Sequence, residues 1–113
     1  MSMHPSIGGI RLVLGGNVFG WTADRDTSFA VLDAFYEAGG RMIDTAECYS
    51  FWVPGHSGGE SETVIGEWLA ARGVRGEMLI ATKTNVMAEA GGLAPAKLRR
   101  QLAMSLERLR TDY

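Results

Sequence analysis

The sequence predicts an α/β fold in which parallel strands and helices alternate as β-α-β-α-β-α. Three observations carry this. Short β-prone runs alternate with segments of helical period, and such alternation favours parallel strands joined by right-handed crossovers. Fifteen glycines stand against three prolines, so the chain has many tight junctions and no Pro-rich linker. The third β-prone run is apolar through its centre, as in strands buried on both faces of a parallel sheet. No shift in composition divides the chain, so residues 1–113 read as one domain segment.

Residues 10–14, Ile-Arg-Leu-Val-Leu, form the first strand, ended by Gly15 and Gly16. Residues 27–38 have helical spacing with Val31, Ala34, Phe35 and Ala38 on one face, Asp26 as cap and Gly39 as stop. Residues 41–44, Arg-Met-Ile-Asp, read as the second strand. A polar, Gly-rich loop from Ser50 to Gly59 precedes a helix from Ser61 to Arg72, whose apolar set is Val64, Ile65, Trp68 and Leu69 and whose stop is Gly73. Residues 77–82 make the third strand. Pro95 opens a third helix with a Leu98, Leu102, Leu106, Leu109 stripe. Thr111 ends that pattern, and Asp112-Tyr113 stand where a fourth strand begins.

Bulk properties narrow the function. An apolar fraction of 46% is that of a globular chain with a core. A net charge of −2 gives no concentrated basic surface for nucleic acid, so no nucleic-acid partner is expected. Lys97, Arg99, Arg100, Arg108 and Arg110 read as a solvated face near a helix C-terminus. No apolar run approaches the ~20 residues that span a bilayer. The N-terminus also lacks the pattern of a signal peptide. The lone cysteine, Cys48, can form neither an internal disulfide nor a zinc site by itself. Together these features predict a cytoplasmic protein with no membrane partner and no metal.

In both parallel α/β architectures, the doubly wound sheet and the (β/α)8 barrel, function sits at the C-terminal ends of the strands. Gly15 to Gly20 follow the first strand; Asp44, Thr45, Glu47, Cys48 and Tyr49 the second; Lys83, Thr84 and Asn85 the third. A carboxylate, a phenol and an amine thereby share one rim. Tyrosine titrates near ~10 and lysine near ~10.4, and an ammonium beside a phenol favours the phenolate. A tyrosine tuned in this way can protonate a carbonyl oxygen. No side chain donates hydride, so a nicotinamide cofactor must supply it. Taken singly, each residue also has a plain structural reading: Asp44 as a turn cap, Lys83 as a solvated strand end, Tyr49 as a packing aromatic.

Four blocks of sequence carry a family resemblance. They are Asp44-Thr45-Ala46-Glu47-Cys48-Tyr49; Gly58-Gly59-Glu60-Ser61-Glu62 with Ile65-Gly66; Ile80-Ala81-Thr82-Lys83; and Ser105-Leu106-Glu107-Arg108-Leu109-Arg110-Thr111-Asp112-Tyr113. In order and spacing, from about Leu12 to Tyr113, the chain resembles the N-terminal portion of the aldo-keto reductases. The resemblance implies the first three units of a (β/α)8 barrel, with a fourth strand just beginning. It also implies reduction of aldehydes or ketones with NADPH, or sometimes NADH. Tyr49 would be the proton donor, Lys83 its neighbouring cation and Asp44 the partner of Lys83. Gly16, Asn17 and Val18, with Asp44, would lie at the nicotinamide end of the cofactor.

The chain stops short of the family's catalytic histidine, which follows the fourth strand; His4 and His56 do not occupy that place. The later cofactor loops are also missing, and only Ile7 to Arg11 stand where the family has a hairpin at the barrel bottom. Phe19, Trp21, Phe51, Trp52 and Pro54 sit in loops whose aromatics in the family often line the carbonyl pocket; packing against a neighbouring loop is the equal alternative. Two alternatives accompany the reductase reading. One is a catalytically inactive remnant that serves as a structural or self-associating module, since unpaired strand edges invite another chain. The other is a doubly wound nucleotide-binding protein, but Gly15-Gly16-Asn17-Val18-Phe19-Gly20 lacks the required Gly-x-Gly-x-x-Gly spacing.

Overall fold

The computed structural model describes residues 7–84 and 92–113; His4 and Asn85 fall outside them. Three strands, β1 (Leu14–Gly15), β2 (Met42–Asp44) and β3 (Leu79–Ala81), form a parallel sheet in the order β1-β2-β3. Helices α1 (Arg25–Glu37), α2 (Glu60–Arg72) and α3 (Pro95–Leu109) follow them in turn, as the alternating pattern predicts.

The strands are shorter than expected. Leu14 pairs with Ile43 and Gly15 with Asp44, while Arg11, Leu12 and Val13 remain exposed beyond the reach of β2. Gly15 therefore belongs to the strand it was expected to end. Ile7–Gly9 form a 3-10 turn in place of a hairpin arm. The β2–β3 register is Met42↔Leu79, Ile43↔Ile80 and Asp44↔Ala81. Side chains alternate across a strand. Ile43 and Ile80 thus join the core under the helices, while Asp44 and Ala81 share the opposite face.

The N-cap of α1 is Asp24, not Asp26: the Asp24 carboxylate accepts from the Thr27 amide at 2.8 Å. Asp26 lies inside the first turn, where its charge still suits the helix dipole. The buried face is also rotated from the one expected. Ser28, Phe29 and Leu32 point into the core, Phe35 is half-buried, and Val31, Ala34 and Ala38 are exposed. Ser28 can enter the core because its hydroxyl donates to the Ala23 carbonyl.

Helix α2 matches its expected face. Val64, Ile65, Trp68 and Leu69 are buried, and Gly73 closes the helix in the left-handed region at φ 66°, its amide on the Leu69 carbonyl. Trp68 is fully buried, and its indole N–H donates to Asp33 at 2.8 Å.

Helix α3 starts at Pro95 and lies so close to α2 that a Cβ on Gly66 would collide with the Arg108 carbonyl oxygen. Its expected stripe is split. Leu109 is buried and Leu98 and Leu106 are half-buried, but Leu102 is 56% exposed, and Gln101 and Ser105 take the buried positions. Asp112-Tyr113 form no strand; the Tyr113 ring lies under the Arg75 guanidinium, 3.9 Å from it. Among the described residues, no helix is long and apolar enough to cross a membrane.

Candidate active site

The C-terminal ends of the three strands meet along one rim. The Gly16 amide donates to the Asp44 carbonyl at 2.8 Å, the Thr45 amide to Ala81 at 2.8 Å, and the Glu47 amide to Lys83 at 3.0 Å. These bonds extend the parallel ladder past the formal strands and fix the spacing of the side chains that follow. Lys83 lies two residues beyond Ala81, so period two returns it to the face that carries Asp44. Its ammonium donates to Asp44 Oδ2 at 2.8 Å and to the Thr45 carbonyl at 2.7 Å.

Tyr49 comes from the turn after β2. Lys83 Nζ lies 5.1 Å from the centroid of its ring, near enough for a cation–π attraction. The amine, carboxylate and phenol expected to act together are thus brought together. Burial, the largest single influence on the Lys83 ammonium, depresses its pKa. Its hydrogen bonds with Asp44 and Tyr49, reinforced by their charges, outweigh that and hold it above the ordinary lysine value. Lys83 and Asp44 are both half-exposed, so the pair is open to solvent and to a ligand.

The first loop is arranged less uniformly. Gly16 is buried, and a Cβ there would stand 3.0 Å from Ser61 Oγ and 3.3 Å from the Asp44 carbonyl oxygen, so a side chain would make these neighbours shift by a few tenths of an ångström. Asn17 is exposed on the rim, whereas Val18 packs against the core. Phe19 is likewise a core residue rather than a pocket aromatic. Trp21, Phe51 and Trp52 are exposed. His56 is half-buried, and its backbone amide donates to the Val53 carbonyl.

Sequence reasoning missed the polar layer under the rim. Glu62 is fully buried: Oε1 accepts from Arg108 Nε at 2.7 Å and Oε2 from the Thr82 hydroxyl at 2.7 Å. Arg108 therefore leaves the solvated basic face assigned to it, while Lys97, Arg99, Arg100 and Arg110 remain exposed. Beside this pair, Ser61 Oγ donates to the Gly16 carbonyl at 2.6 Å and lies 2.8 Å from Thr45 Oγ1. The available signal was Glu62 itself, three residues before Ile65 on the apolar stripe of α2, where an unpartnered charge would be costly.

The profile of the Aldo/keto reductase family matches residues 11–113. The chain belongs to this family. A norsolorinic acid reductase of Emericella nidulans is 40% identical over 95% of this chain and 31% of its own length. An uncharacterized 11.2 kDa protein of Pseudescherichia vulneris is 56% identical over 64% of this chain and 71% of its own length. The crystal structure of an aldo/keto reductase from Klebsiella pneumoniae in complex with NADP and acetate superposes with a TM-score of 0.72 at 31% identity, covering 92% of this chain and 33% of that one. The chain therefore spans about a third of the longer relatives. Its three β-α units are the first three of the family's (β/α)8 barrel, which settles the choice between the two parallel architectures.

Proposed function

We propose that this aldo/keto reductase chain carries the proton-donating side of an NADPH-dependent reduction of aldehydes or ketones to alcohols. The observation that carries the reading is the Lys83 ammonium, held 2.8 Å from the Asp44 carboxylate and 5.1 Å from the centre of the Tyr49 ring. Tyr49 gives its hydroxyl proton to the carbonyl oxygen, and the Lys83 charge stabilises the phenolate left behind until solvent reprotonates it. Asp44 aims and retains the ammonium. NADPH supplies the hydride when bound.

The donor set fits such a cofactor, since it offers a proton donor and a positioned charge but no reductant. Asn17 and the Asp44 carboxylate, on adjoining ends of the rim, would meet its nicotinamide end, with Gly16 letting the backbone approach and Val18 bracing the loop from the core. The NADP in the Klebsiella structure and the reductase name of the Emericella relative support the choice of cofactor and reaction. The free, buried Cys48 suits a reducing compartment, and the proposal includes a cytoplasmic location.

The test is NADPH consumption with simple aldehydes and ketones, comparing the protein with its Tyr49→Phe variant. Removing the proton donor is expected to lower kcat by ~100-fold or more, with the fold intact. Consumption that is unchanged in Tyr49→Phe sinks the assignment. A second reading, a self-associating module, is favoured by the free outer sides of β1 and β3 among the described residues. It gains if the protein assembles but shows no NADPH binding.

A further inference from the structure

We infer that Thr45 and Ser61 are positioning residues for Lys83: their buried hydroxyls form a relay that aims one backbone carbonyl at the ammonium and leaves its third hydrogen for Tyr49. This rests on the proposal that the Lys83 charge serves Tyr49. Thr45 and Ser61 are both fully buried, so their hydroxyls must find partners inside the protein. Ser61 Oγ lies 2.6 Å from the Gly16 carbonyl oxygen, which can only accept. The single Ser61 proton is thereby committed to Gly16. The 2.8 Å contact between the two hydroxyls then has one direction: Thr45 donates and Ser61 accepts. The Gly16 amide donates to the Asp44 carbonyl at 2.8 Å and closes the circuit. It runs from Asp44 through Thr45, Ser61 and Gly16 back to Asp44.

The circuit decides how Thr45 is presented. Its amide is held by the Ala81 carbonyl at 2.8 Å and its hydroxyl by Ser61. Its carbonyl is what remains, and this accepts from Lys83 Nζ at 2.7 Å. An ammonium has three donors. Asp44 Oδ2 takes one at 2.8 Å and the Thr45 carbonyl a second. The third is left for Tyr49, whose hydrogen bond helps to keep Lys83 charged. Two acceptors on different groups set the rotation of the ammonium about its C–N bond, and a loosened carbonyl would release it. Stability alone does not call for hydroxyls here. A matched apolar pair would fill the space at little cost. Ser61 also forgoes the local bond that Thr63 makes on the same helix, where the hydroxyl returns to the Gly59 carbonyl at 2.9 Å. It reaches across to the loop after β1 instead.

The experiment follows exchange of the lysine ammonium protons with water by NMR of the intact chain, cold and in mildly acidic solution. The chain has two lysines, and exposed Lys97 serves as the reference. Lys83 is expected to exchange about tenfold more slowly than Lys97. Thr45→Val keeps the shape and drops the hydroxyl; it should speed Lys83 exchange about three- to tenfold. Thr45→Ser should restore the slow rate. Val64→Ala, a plain cavity in α2, should lower the urea midpoint and leave Lys83 exchange alone. Lys83 exchanging as fast as Lys97 in the unaltered protein overturns the inference. So does a slow rate that survives in a Thr45→Val variant with the emission of buried Trp68 unchanged, or an equal gain in rate from Val64→Ala. If Thr45→Val fails to fold, the same criteria apply to Ser61→Ala. NADPH-dependent turnover separates this inference from the reading beneath it. Thr45→Val should lower kcat and spare KM. The exchange response without turnover in the unaltered protein counts against the reductase and leaves the hold on Lys83 standing. Turnover with the same kcat in Thr45→Val keeps the reductase and removes the positioning role.

Discussion

At the scale of single residues, the rim depends on Asp44 holding Lys83. The pKa of Lys83 is raised in the folded protein, so the stabilisation from its contacts is fully present below its unfolded value and is lost as pH rises through the folded one. Asp44→Asn removes a hydrogen-bonded charge and is expected to move the Lys83 titration downward, as followed by NMR of its ε-carbon. A midpoint unmoved by Asp44→Asn would show that the carboxylate does not govern the amine. The three rim residues were legible as a set because Asp44 ends β2, Tyr49 stands in the turn after it and Lys83 lies two residues beyond β3, at the strand ends where α/β folds place chemistry. Glu62 was legible only in part: its place on the apolar stripe of α2 signals burial, but its partner, Arg108, comes from another helix and is not signalled by spacing.

At the scale of elements, α2 and α3 are joined by a seam whose tolerance is low. Glu62 is fully buried, and Glu62→Ala would leave Arg108 without its carboxylate, a loss of ~3–5 kcal/mol for breaking a buried pair. Gly66→Ala would push the helices apart and cost ~1–3 kcal/mol as overpacking. Urea denaturation checks both; a Gly66→Ala midpoint equal to that of the unaltered protein would contradict the close approach. Between α1 and α2, hydrogen bonds from Arg72 and then Trp68 hold Asp33 down from 3.8 to about 2. Because this pKa is depressed on folding, its stabilising contribution is present above pH 3.8 and is lost as pH falls through about 2. Emission of Trp68 should report the loss, and Asp33→Asn should abolish that acid transition. The face of α2 was readable because its apolar residues form one stripe. That of α1 was not, because Phe29 and Leu32 compete with Val31, Ala34 and Ala38, and the small hydroxyl of Ser28 lets the first set win.

At the scale of the molecule, the outer sides of β1 and β3 carry no ladder among the described residues, and Leu12, just ahead of β1, and Leu102, on α3 in a cleft lined also by Thr82 to Thr84, are exposed. Free strand edges template pairing, so the 113-residue chain is expected to associate with copies of itself. Sedimentation velocity should show mass rising with concentration, and Leu79→Lys on β3 should suppress the rise. A single monomeric boundary at every concentration would refute the expectation. The alternation of strand and helix was plain in the sequence, but closure was not, because open sheets and barrels use the same β-α unit. The pairing of Asp44 with Ala81 has a further consequence. Sliding β3 by one residue would turn Lys83 toward the helices and bring Thr82 to the rim. The Asp44–Lys83 contact is therefore a gauge of assembly: wherever it is detected, the two strands have found their correct alignment.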